Sequence, residues 1–178
     1  MLPLLVLTVN DGSDELFRSL LLGKGKQSFK EGHSYFLRDK RQVVALEYLT
    51  QLMEDGYGGL YITRRHPDHI ERRRGRDGMK VIWLSTTLGR DYVDPHNLGS
   101  LTNMISTFIE KMGKAAILLD GLEYLMINND FPRVLKFIEY VNEIVMQKRA
   151  LFIISIDSRA FDPRELALLE RNADVIES

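Results

Sequence analysis

The chain has 178 residues, a formal net charge of −1 and no cysteine. That length suits one domain with a sizeable core and is short for two. Disulfides, thiol catalysis and thiolate metal sites are excluded, and the balanced charge gives no global pull toward nucleic acid or an anionic membrane. The lack of cysteine also fits a reducing interior, so a cytoplasmic location is expected.

The opening MLPLLVLTVN is apolar for far less than the ~20 residues of a membrane span. It lacks the basic region and small-residue cleavage site of a signal peptide. A strand over residues 2–9 is expected; a membrane would be a partner only if this stretch were the remnant of a longer anchor. Asn10-Asp11-Gly12 reads as a turn, and Ser13 or Asp14 caps a short helix through Leu22. Gly23 to Gly32, GKGKQSFKEG, is a basic glycine-rich loop. Its GKGK lacks the GxxxxGK[ST] spacing of a phosphate loop and is not set between a strand and a helix. Residues 1–32 are therefore expected to form an extension, and 33–178 the domain proper.

From there strands and helices alternate. Ser34 to Leu37 is a strand, Arg38 to Gln42 leads into a helix ending at Asp55, and Gly58 to Thr63 is the next strand. Pro67 opens a short helix toward Glu71, Arg72 to Gly78 is a polar turn, and Lys80 to Ser85 is a third strand. Asp94-Pro95 supplies an N-cap and first-turn proline for a helix that Gly113 ends. Ala115 to Leu119 is an unbroken apolar run closed by Asp120 and Gly121, the pattern of a parallel strand buried on both faces. A helix starts at Asp130, Ala150 to Asp157 is a second fully apolar strand, and Asp162, Pro163 and Glu165 form a capping-box start. Asp174 to Ile176 adds an edge strand. The alternation predicts an α/β fold of three layers, a doubly wound, mostly parallel sheet with helices on both faces.

An acid at the carboxyl end of a central strand lies where open α/β sheets bind ligands, and in nucleotide hydrolases that acid holds magnesium. In order, SYFL, GGLYITRRHP, KVIWLS, ILLDGLEYL, FPRVLKFIEYV, LFIISID and ELALLER resemble the archaeal family known as domain of unknown function 835. The resemblance covers about four-fifths of the chain. Beyond that family the layout is similar to the RecA and KaiC group of ATPases, and the resemblance implies a RecA-like sheet with the Ala115 strand inside it. Where those ATPases carry a glycine-rich loop ending in GK[ST], this chain reads RDKRQVV, with no glycine to let backbone amides wrap a phosphate. Where they place catalytic glutamates after the second strand, it has Arg64 and Arg65, which cannot act as general bases. Asp120 alone survives. The expectation is a degenerate, catalytically dead ATPase relative with no cofactor and no catalytic residue, serving as an interaction or signalling module with a protein partner or with itself.

The alternative is weak nucleotide or anion binding in the strand-end crevice, with Asp120, Arg64, Arg65 and Arg38 as candidate residues. Another is nucleic-acid binding through the Arg72 to Arg76 turn. Acids at Asp68, Glu71 and Asp77 offset those arginines, and no aromatic occurs between Tyr61 and Trp83, so nucleic acid is not the expected partner. His66 and His69 are too few for a metal site, and none is expected. The helix from Asp130 carries Phe131, Phe137 and Tyr140, more aromatic surface than one buried stripe requires, which suggests an interface.

Overall fold

A computed structural model of the protein describes residues 27–39, 44–70 and 78–177. The expected strand at 2–9, the helix through Leu22, the GKGK stretch and the Arg72 to Arg76 turn lie outside the described residues. Seven strands form one sheet: β1 (His33–Arg38), β2 (Gly58–Thr63), β3 (Lys80–Leu84), β4 (Tyr92–Val93), β5 (Ala115–Asp120), β6 (Leu151–Ile156) and β7 (Asp174–Glu177). Their order is β4-β3-β2-β5-β6-β1-β7, and every pairing is parallel. β5 is therefore the middle strand, buried on both faces along its whole length, which is why its sequence shows no polar alternation.

Alternation within the strands sorts their side chains between two cores. Ile62, Ile82, Ile117, Leu119, Phe152 and Ile154 face α2 (Leu98–Met112), α3 (Leu122–Asn128), α4 (Phe131–Lys148) and α5 (Pro163–Glu170). Tyr61, Ala116, Leu118, Leu151 and Ile153 face the opposite way, beneath α1 (Val44–Glu54) and its buried Ala45, Leu49 and Leu52. Helices thus cover both faces, four against one.

The ends of the elements follow local chemistry. Gly113 closes α2 at φ 71°, a conformation disfavoured for side-chain-bearing residues. Asp130 caps α4 by accepting the Arg133 N–H, and Asp162 with Glu165 forms the full reciprocal capping box of α5. Three expectations need correction. Asp94 does not cap α2. Its carboxylate instead accepts the His96 N–H at 2.9 Å, making a turn that holds Pro95, and Asn97 is the cap that accepts the Ser100 N–H. The strand expected over Ser34 to Leu37 runs one residue further at each end, so Arg38 ends β1, and the helix that follows is described from Val44. Between Gly121 and the helix at Asp130, where no element is expected, stands a seven-residue helix, α3, too short for its period to stand out in the sequence. β4 was not foreseen either. It is two residues long, well below the length at which alternation can be read.

Candidate functional site

Parallel strands bring their carboxyl ends to one edge of the sheet, and the register decides which side chains meet there. Thr63 of β2 pairs with Asp120, and Asp120 pairs with Ser155 of β6. These three, with Tyr61 two residues back on β2, point to the face that α1 covers. Asp120 is 2% exposed. The Tyr61 hydroxyl donates to its Oδ2 at 2.8 Å and the Thr63 hydroxyl at 3.4 Å. Arg65 Nε stands 4.0 Å from the same oxygen, with its side chain about half exposed. Thr63 also accepts the Arg65 N–H at 3.1 Å, which fixes the turn out of β2.

Burial disfavours the ionised form, so the Asp120 carboxyl is pushed above the ordinary aspartate range, against the pull of Tyr61 and Arg65. The Tyr61 hydroxyl is pushed up as well, by burial first and by the neighbouring carboxylate second, so it serves as a donor. Beside Asp120 in the sheet, Ser155 is completely buried and its hydroxyl has no hydrogen-bond partner among the described residues. Glu123, in the first turn of α3, accepts the Asp157 N–H at 2.7 Å, and burial raises its carboxyl too.

A second acid lies at the end of β1. Asp39, 3% exposed, accepts the backbone N–H groups of Val44 at 2.9 Å and Ala45 at 3.3 Å. A helix N-terminus reached from a strand end is where a phosphate group would be received. Here the chain's own carboxylate accepts those donors.

The remaining candidates part company. Arg38 Nη1 pairs with Glu177 at 2.7 Å and its Nη2 bonds Glu170, on the β7 side of β1. That leaves it two strands from β5, and the structure does not bring it to Asp120. Arg64 is exposed, and its carbonyl accepts the Trp83 indole N–H at 2.9 Å. Only Arg65 reaches Asp120. His66 packs edge-on against Trp83 at 4.6 Å and bonds the Asp68 N–H, the bonding of a turn. No three His, Asp or Glu side chains gather as metal ligands among the described residues. Sequence reasoning passed over Tyr61, Thr63 and Ser155. Two-residue alternation alone places Tyr61 and Thr63 on one face, but the register that sets them beside Asp120 is a property of the folded sheet.

The model of the family described as Protein of unknown function (DUF835) matches residues 38–172. The chain belongs to that family. No curated protein matches it. Among solved structures, this DUF835 chain is similar to the KaiC-like protein PH0186 from the hyperthermophilic archaeon Pyrococcus horikoshii OT3. The TM-score is 0.60 at 13% identity, over 84% of this chain and 74% of that one. It is also similar to the flagellar accessory protein FlaH from Methanocaldococcus jannaschii, with a TM-score of 0.59 at 12% identity over 90% of this chain and 76% of that one. Identities this low speak for the fold alone, and the fold is KaiC-like.

Proposed function

We propose that this DUF835 domain is a non-enzymatic interaction or signalling module built on a degenerate ATPase fold. The observation that carries the reading is Asp39. Its carboxylate occupies the Val44 and Ala45 N–H groups, donors that a nucleotide phosphate would otherwise claim. Asp120 supports it from the neighbouring strands. Its Oδ2 is engaged by Tyr61 and Thr63, and burial favours its neutral form, a poor ligand for a hard cation. Catalysis of phosphoryl transfer needs positioned phosphates, a metal and a base together. Among the described residues the acids at this edge, Asp39, Asp120 and Glu123, are each engaged in hydrogen bonds within the fold.

Phosphate release from ATP and GTP with magnesium, together with the melting temperature at rising nucleotide concentration, tests the reading. The expected result is no release and no shift, whereas a ligand at a hundred times its Kd would stabilise by about 2.7 kcal/mol. Magnesium-dependent release that Asp120→Ala abolishes would overturn it.

A further inference from the structure

On the outer side of the sheet's four-helix face, α2 and α4 lie against each other and leave an open groove of about 600 Å³ between them. α4 carries two stripes. Val134, Ile138, Val141 and Val145 are buried in the core. Arg133, Lys136, Phe137, Tyr140 and Ile144 line the groove, recurring at helical spacing along the next face. Across from them α2 contributes Leu98 at its first turn and then small or polar residues, the exposed Gly99, Thr102, Asn103 and Ser106.

We infer that this groove receives an acidic amphipathic helix of a partner protein, an inference that rests on the interaction-module reading and gives it a surface. Charge complementarity names the partner. Two cations and no acid line the groove, and neither Arg133 nor Lys136 has an ion pair among the described residues. Tyr140 is 57% exposed and shares the groove with the buried Phe137 and the half-buried Ile144, three and four residues away on α4. Tyrosine and arginine are the residues that most often anchor interfaces, and an aromatic over a packed apolar floor is the arrangement that does so. The twelve residues from Arg133 to Ile144 give the groove about 17 Å of length, roughly three helical turns. Small side chains on α2 let a third helix sit low between the two, its apolar positions on Phe137, Tyr140 and Ile144 and its acids on Arg133 and Lys136. A small molecule would instead need most of its surface enclosed, which an open trough with an exposed aromatic rim does not provide.

The test is selection of a displayed library of 16-residue peptides against the intact chain, followed by synthesis of the enriched peptides and titration with fluorescence anisotropy. Enrichment of Asp and Glu around apolar residues at helical spacing is expected. Affinity should fall at least tenfold in Arg133→Glu/Lys136→Glu and in Tyr140→Ala, and stay unchanged in Arg64→Glu. Replacing the peptide's acids by lysine should restore binding to the charge-reversed protein. Enrichment of basic peptides, no enrichment, or binding indifferent to the groove variants would each overturn the inference. So would a dimer in sedimentation that Tyr140→Ala dissolves, since the occupant would then be a second copy. If the groove fails while nucleotide is neither bound nor hydrolysed, the module reading stands without it; hydrolysis sinks that reading whatever the groove binds.

Discussion

The strand-end cluster around Asp120 and the groove between α2 and α4 use polar chemistry in opposite ways. In the first, an acid is enclosed, given two hydroxyl donors from the neighbouring strand, and its pKa is raised by burial. In the second, two exposed cations line a groove with an exposed tyrosine and have no ion pair among the described residues. The carboxyl-end edge of the sheet has its polar groups turned inward upon one another. Spare recognition capacity lies on a helical surface instead. Groups bonded within the fold contribute to stability, and groups left unpaired at the surface are free to contribute to binding.

Truncation on the two sides is the strongest way to break this contrast. Asp120→Ala leaves the Tyr61 hydroxyl buried without its acceptor and is expected to cost about 1–3 kcal/mol in urea unfolding. Arg133→Ala and Tyr140→Ala should each change stability by less than about 0.5 kcal/mol, as surface substitutions do. Equal losses on both sides would mean that the groove residues are structural.

A smaller effect sharpens the account of Asp120 itself. Its folded-state pKa is raised, so its contribution to stability is full below the unfolded value of about 3.9 and declines as pH rises through the folded value. Asp120→Asn retains an acceptor for Tyr61 and removes this titration. The unfolding free energy of the wild type relative to Asp120→Asn should therefore fall on going upward from pH 4 and then level off. A relative stability that rises over the same interval would mark the carboxylate as charged and favourably paired.

The smallest expected change is at Ser155. A buried hydroxyl without a partner costs desolvation and returns nothing, so Ser155→Ala should stabilise by a few tenths of a kcal/mol, read as a small rise in melting temperature. A loss of stability would show that the hydroxyl has a partner within the site.

Much of the architecture was legible because hydrophobic pattern and end signals agree. The apolar runs at Ala115 and Leu151 marked the central strands, and the Asp162–Glu165 box marked the start of α5. Legibility failed where an element was too short to show a period, as in α3 and β4. It failed again at Asp94, where two polar residues three positions apart, Asp94 and Asn97, could each have capped the same helix and a local turn took the first. For the candidate site, Asp120 was visible from its place at a strand end. Its surroundings were not, because Tyr61, Thr63 and Ser155 reach it only through strand register, across separations of 59, 57 and 35 residues. The arginines misled in a comparable way. Arg38, Arg64 and Arg65 follow strand ends alike in the sequence, yet sheet order sends Arg38 to Glu170 and Glu177, while Arg65 pairs with the acid and Arg64 acts on it only at longer range.

The position of β1 in the sheet has a consequence for how the chain is made. Its neighbours are β6 and β7, so Tyr35 to Leu37 pair with Ile153 to Ser155 on one side and Asp174 to Ile176 on the other. During synthesis, at about 5–20 residues per second, the first of the described strands must wait through more than a hundred residues for either partner. Until then both its edges present unpaired backbone beside apolar Tyr35, Phe36 and Leu37, a surface open to pairing with other chains. A nascent chain halted before Ala150 should expose this strand to protease and chaperone, while β2, β3 and β5 can already pair among themselves. Closure of the sheet is thus a late event, made by the last strands on the first.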